Sequence, residues 1–254
     1  MMPKPQVLET WGDFACFTRP ELKVERFSYP IMTPSAARGI FDAIYCKPNK
    51  DPSQAQFRWQ ITKIELLAPI GYIALRRNEV KEKVNMTAVR RWMTGSDAPM
   101  PIYADGDRDM LGTDEKGRTQ RQTMALKDVR YRLTAAIRPF SGHEDKQQAL
   151  EAQFRRRASH GKCFHQPYMG CREFPAYFEL KEVDEVLAKP VDYSQDVGLM
   201  LYDVFDLSRP GSPLVGHRRP SISLFHARIE RGVLSVPDFG GPEVIKPGPE
   251  ASHA

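Results

Sequence analysis

Residues 7–48 read VLETWGDFACFTRPELKVERFSYPIMTPSAARGIFDAIYCKP. Val7, Glu9 and Trp11, then Phe14, Cys16 and Arg19, recur at the spacing of a long first strand with one apolar face. A basic, extended connection follows, with Lys23, Arg26 and Tyr29. Thr33-Pro34 then starts a helix, the threonine as N-cap and the proline at the first helical position. Ala37, Ile40, Phe41 and Ile44 form its apolar stripe, and Pro48 is the stop signal. Arg38 and Tyr45, two turns apart, fall on nearly the same side. Tyr45 is expected in the last turn, at the edge of the stripe, where a phenol reaches solvent.

Outward from this stretch, FRWQITKIELLA (57–68) alternates as a strand, Pro69-Ile70-Gly71 turns the chain, and YIALRR (72–77) returns antiparallel. Residues 78–121 carry no sustained period. A structureless loop of that length is unusual, so a β-hairpin insertion is expected, with strand-like pieces such as MTAVRRWM (86–93). TMALKDVRYRLTAAI (123–137) is a long strand whose phase breaks near Asp128, as at a bulge. EDKQQALEAQFRRRA (144–158) is a helix, acidic at its start and ending in three arginines that suit the macrodipole. CREFPAYFELKEV is a strand interrupted by Pro175, hence an edge or bulged one.

The order β-α-β-β-α-β predicts an α+β, ferredoxin-like fold of the kind found in RNA-recognition modules, over residues 1–190 with the insertion near 78–121. GLMLYDVFDL, SISLFHARIERG and VLSVPDF predict a small antiparallel β domain over 191–240. The Gly- and Pro-rich residues 241–254 read as a flexible tail.

The chain has 254 residues, a net charge of +5 and a pI near 9.0. Residues 76–132 hold 13 Lys and Arg against 9 Asp and Glu, so most of the excess sits in one basic section, as a polyanion partner would want. No apolar run is long enough for a membrane helix and the N-terminus has no signal-like region; a cytoplasmic protein without membrane association is expected. Cys16, Cys46, Cys163 and Cys171 show neither a CxxC pair nor zinc spacing and read as reduced thiols.

No Walker loop, HExxH or GxSxG motif is present. Asp105, Asp107 and Asp109 in DGDRDM read first as a polar turn and only second as a metal site. The chemistry that suits this chain needs no metal and no cofactor. RNA carries its own nucleophile, the 2′-hydroxyl, and a protein need only align it, move protons and stabilise the phosphorane. Lys23, Arg26, Arg38, Arg76, Arg77, Arg90, Arg91, Arg118 and Arg121 are candidates to grip RNA phosphates. Tyr72, Trp92 and Tyr103 lie among them as stacking surfaces. His143, His217 and His253 read as solvated and His226 as packed; His160 and His165 flank a loop that can border an RNA site. Arg172 reads equally as an RNA contact or as structural, paired with Glu173 or a neighbour.

The first stretch, LLAPIGYIALRRNEV (66–80), RTQRQTMALKDVRYRLTAAI (118–137) and YMGCREFPAYF (168–178) together resemble the type I-C CRISPR-associated Cas-five-d family. The resemblance implies an endoribonuclease that trims CRISPR repeat transcripts at the 3′ base of the hairpin. It further implies that the protein keeps the 5′ handle bound beside the backbone and large subunits of a Cascade-type complex. Tyr45, which by itself reads as core, matches the family's active-site tyrosine in IYCKP, and Lys116 matches the lysine of a Lys-His pair. Gly117 stands where the family has histidine, so His160 or His165 is a candidate replacement. That departure keeps open a non-catalytic RNA-binding subunit, and the basic middle section keeps open a duplex-DNA binder.

Overall fold

The computed structural model describes residues 3–46, 51, 54–80, 84–99, 118–182, 188–212 and 221–248. The chain gathers into two compact units, Met1–Ile73 with Met124–Ala254, and Ala74–Thr123.

The larger unit is built on β1 (Gln6–Ala15), which pairs antiparallel with β5 (Arg118–Pro139) on one side and β6 (Tyr177–Lys181) on the other. The strand is buried along most of its length, on both faces, and Glu9 is buried with its carboxylate held by Arg130. The one-sided strand expected from the alternation is therefore a central one. β3 (Phe57–Leu66) lies beyond β5, and β9 (Val233–Ser235), β8 (Ser223–Glu230) and β7 (Gln195–Asp203) extend the same sheet, in the order β6-β1-β5-β3-β9-β8-β7. β2 (Arg26–Phe27) and β4 (Tyr72–Val80) also pair with β5. The result is a mixed α/β fold with a large antiparallel sheet and few helices.

Asp128 takes a left-handed φ of 52°, at the predicted phase break, yet β1 and β5 stay in register past it. The register shift falls instead in β3, between Ile61 and Lys63. β6 begins after Pro175 and is an end strand of the sheet path, as expected of a proline-interrupted segment. Between β8 and β9, Arg231 and Gly232 have φ of 47° and 78°, the two positive values of a tight hairpin turn. A Cβ on Gly232 would stand 2.2 Å from the Val191 carbonyl oxygen, so this position tolerates only glycine. The tail packs further than its composition suggests. Val244 is buried and Ile245 exchanges backbone hydrogen bonds with Leu224, which supply the partners that a Pro- and Gly-rich segment lacks within itself.

Helix α1 (Pro34–Ile44) starts as its sequence predicts: the Thr33 hydroxyl accepts from the Ala36 amide at 3.3 Å, with Pro34 at the first position. At its end the carbonyls meet tertiary donors; Pro48, the expected stop signal, lies outside the described residues. The Phe164 amide donates to Ala43 O at 2.7 Å, Arg157 Nε to Ile44 O at 2.6 Å, and Trp59 Nε1 to Tyr45 O at 2.9 Å. These three fill carbonyls that a helix terminus otherwise leaves open. Helix α3 (Gln147–Ala158) packs beside α1 on the sheet. The layer between them is aromatic: Phe41, Trp59 and Phe154 have ring centroids 4.7–5.5 Å apart, and Phe57 joins Trp59 edge-on at 5.8 Å. Such pairs contribute roughly 0.5–1.5 kcal/mol each beyond their burial.

In the smaller unit, the outer parts of β4 and β5 carry α2 (Met86–Met93) between them in sequence. MTAVRRWM, expected as strand, is helical. Asn85 decides it locally, its side chain accepting from the Thr87 amide at 2.8 Å as an N-cap. No residue of α2 is buried, so sheet burial, which would favour β structure in a Val- and Trp-containing segment, is absent.

Candidate active site

Tyr45 is the first residue past α1, with extended φ and ψ of −152° and 109°. It is 5% exposed, less than a solvent-reaching phenol requires, and its ring stacks on Phe57 at 5.3 Å. It nevertheless lines an open cavity of about 770 Å³, with Cys46, Gln56, Lys146, Leu150, Gln153 and Phe164. α1, α3 and the loop after α3 converge there because the three donors that end α1 come from that loop, α3 and β3.

Electrostatics set the protonation of this wall. Burial pushes the Tyr45 phenol above its ordinary value, while the nearby Arg157 guanidinium pulls it back. At neutral pH the phenol therefore keeps its proton and is a donor. Burial also pushes the Cys46 thiol up, to about 11, so it is not a thiolate nucleophile. Lys146 Nζ sits 3.3 Å from His143 Nδ1 on the same rim. Arg157 stacks over Phe164 at 4.1 Å and ion-pairs with no carboxylate among the described residues.

The other candidates fall in several places. Arg38 is turned inward. Its Nε and Nη2 hold Asp203 at 2.7 and 3.2 Å, and Nη1 holds Asp42. Burial alone would lower its pKa, but the two carboxylates outweigh that and hold it above its usual value. A guanidinium so occupied is fastening, not a phosphate grip, and the expectation for Arg38 is corrected accordingly. Arg26 donates to Glu173 at 2.8 Å, which also gives Glu173 a partner other than Arg172. Lys23 is exposed on the connection before β2.

Arg76, Arg77, Arg90, Arg91 and Arg121 belong to the smaller unit. There Arg77 Nε donates to Thr123 Oγ1 at 3.1 Å, Arg91 lies 3.7 Å from Asp97, and Arg76 and Arg90 are exposed. Lys116, Gly117, Tyr103, Asp105, Asp107, Asp109, His217 and His253 lie outside the described residues, as does the side chain of Arg118. His226, expected to pack, is exposed, with Nε2 3.5 Å from Asp196, because its register on β8 turns it outward. His160 and His165 are both exposed. Among the described residues no three His, Cys, Asp or Glu side chains gather as a metal site would need. No described helix is long and apolar enough to cross a membrane.

Sequence reasoning missed Arg157, Lys146 and Phe164. The arginines ending α3 were legible only as complements to a helix dipole. The sign that one of them serves α1 is a carbonyl, Ile44 O, that no sequence pattern marks.

Fold and site define a mixed α/β protein with a large antiparallel sheet, in which a tyrosine at the end of a helix lines an open groove with Lys146 on its rim. Residues 7–237 match the family described as CRISPR-associated protein (Cas_Cas5), in its Cas5d branch. The chain is 37% identical over 243 residues to the CRISPR pre-crRNA endoribonuclease Cas5d of Mannheimia succiniciproducens, covering 93% of this chain and 96% of that one. It is 35% identical over 241 residues to the protein of the same name from Thermus thermophilus, covering 91% and 90%. The chain belongs to the Cas5d family. Two solved structures share its fold at TM-score 0.58: a CRISPR-associated protein at 17% identity and a functionally uncharacterised Streptococcus mutans protein at 18%. Each match covers 96% of this chain and 97% of the other.

Proposed function

We propose that this protein is a metal-independent endoribonuclease that cuts CRISPR repeat transcripts at the 3′ base of the hairpin and keeps the 5′ handle of the product. The observation that carries the reading is the placement of Tyr45. The residue aligned by resemblance with the family's active-site tyrosine lines an open groove, protonated, beside a cation that has no counter-carboxylate among the described residues. Membership of a family whose two relatives are named pre-crRNA endoribonucleases supports the substrate.

The RNA 2′-hydroxyl attacks the adjacent phosphorus and gives its proton to solvent or a nearby base. The P–O5′ bond breaks, and Tyr45 protonates the departing 5′-oxygen and recovers its proton from water. The products are a 2′,3′-cyclic phosphate and a 5′-hydroxyl. Lys116, carried by the resemblance alone, is the charge-stabilising amine. Lys23 and the arginines of the smaller unit, Arg118 included, are the proposed phosphate contacts. The strand order β6-β1-β5-β3, with α1 between β1 and β3 and α3 between β5 and β6, supports a ferredoxin-like reading of residues 1–190. In that reading 78–121 is the insertion, 191–240 an appended β region, and the complex a Cascade-type assembly.

The test is cleavage of cognate repeat RNA in chelator. Tyr45→Phe should retain binding and lose about 10²- to 10⁴-fold in rate, the usual contribution of a positioned proton donor. Absence of product from the wild-type protein would sink the enzyme reading and favour the RNA-holding subunit that Gly117 suggests.

A further inference from the structure

We infer a second binding site, for single-stranded RNA, at the C-terminal end of α3 and the loop after it. Arg156, His160 and Lys162, with Gln153 and Arg157, line a recess of about 220 Å³. Gln153 also lines the Tyr45 cavity, as does Phe164, which lies under Arg157 and is 59% exposed. Recess and cavity are thus neighbours that share a wall.

The charges here are distinctive for lacking acids. Arg155, one residue earlier, is paired with Glu182; Arg130 has Glu9, Arg132 has Glu65, and Arg228 has Asp196. Arg156 reaches only the neutral Gln153 at 2.6 Å, and neither it nor Lys162 has a carboxylate partner among the described residues. The helix dipole explains a cation in the last turn. It does not explain Lys162, which follows the left-handed Gly161 beyond the helix, or an open aromatic ring beside it. His160 Nδ1 lies 2.8 Å from Arg156 O. A carbonyl only accepts, so Nδ1 carries the proton and Nε2 is left for a ligand.

One cation on an exposed ring, with Arg156 and Lys162 on the adjoining recess, is what a single strand needs, phosphates on the charges and a base on the ring. A duplex keeps its bases stacked inside and has no use for Phe164. Because the recess adjoins the Tyr45 cavity, it extends the proposed RNA site and rests on that reading for its substrate: it holds the strand on one side of the cut.

The full chain tests this with a fluorescein-labelled oligouridylate, which lacks a repeat hairpin and reports binding independently of cleavage. Arg156→Ala with Lys162→Ala should lower the magnitude of the log Kd against log salt slope by about 1.4, two contacts at ~0.7 each. Phe164→Ala should weaken binding roughly 5- to 150-fold. Thermal melts check that each variant is folded; all three side chains are exposed. Unchanged affinity and salt slope in folded variants would overturn the site, as would duplex DNA competing as well as single-stranded RNA. A Tyr45→Phe protein that still cleaves would instead overturn the catalytic assignment while leaving these binding results intact.

Discussion

Two arginines meet helix α1, and they behave in opposite ways. Arg38, mid-helix, is 6% exposed and shared between Asp203 and Asp42. Arg157, at the helix end, donates one N–H to the Ile44 carbonyl, rests on Phe164, and faces no carboxylate among the described residues. The first is charge cancelled inside the protein; the second is charge left over, stacked on Phe164 at the wall of the groove that Tyr45 lines and near enough to act on its phenol. The comparison teaches that in this chain the arginines to read as ligand-facing are those whose geometry is fixed by carbonyls and rings, because their field is not consumed by an acid.

The largest effect should come from breaking the cancelled site. Asp203→Ala leaves Arg38 buried with half its fork empty, and also removes the acceptor of the Val204 and Phe205 amides. Losing one partner of such a buried pair costs about 3–5 kcal/mol, read as a lower urea midpoint at unchanged m-value. Cleavage per folded molecule should change far less. A stability loss below ~1 kcal/mol would mean that the Arg38 cluster is wetter and weaker than its geometry implies.

Arg157→Gln should cost less stability, about 1–3 kcal/mol, for one charge-assisted hydrogen bond and the favourable placement of a cation at a helix end. Its consequence for cleavage should exceed that of Asp203→Ala once both are corrected for folded fraction. The reverse ranking would remove the distinction between the two arginines.

How far the sequence foretold this follows from the range of each interaction. The start of α1 was legible because Thr33, Pro34 and Ala36 settle it among themselves. The fate of Arg38 was not, because Asp203 is 165 residues away and only the β7 register brings it under the helix. α2 was misread from composition, although Asn85 at its start was a local signal. Tyr45 was legible as a candidate through its resemblance, while its burial and its cation depended on α3 folding back on α1. The continuity of the sheet through β9 depended on three residues pairing with β3, too short a match for periodicity to reveal.

The smallest effect is also the most specific, because it reads the Arg157 field at Tyr45 directly. Burial raises the phenol above its ordinary value of about 10, and Arg157 opposes that rise. The folded protein therefore holds this proton more tightly than the unfolded chain does. The stability it contributes is full below pH ~10 and is lost as pH rises through the folded value. If Tyr45 acts as the proton donor, cleavage should be flat on this group's account across neutral pH and fall on the alkaline side. In Arg157→Gln the phenolate loses its stabilising cation, so the alkaline limb should move to higher pH. Cys46, raised to about 11 and also under the influence of Arg157, titrates in the same region, so Cys46→Ser serves as the background for both proteins. A limb that stays fixed, or moves toward neutrality, would show that the Arg157 charge does not reach the phenol. The contrast between the two arginines would then be one of burial alone.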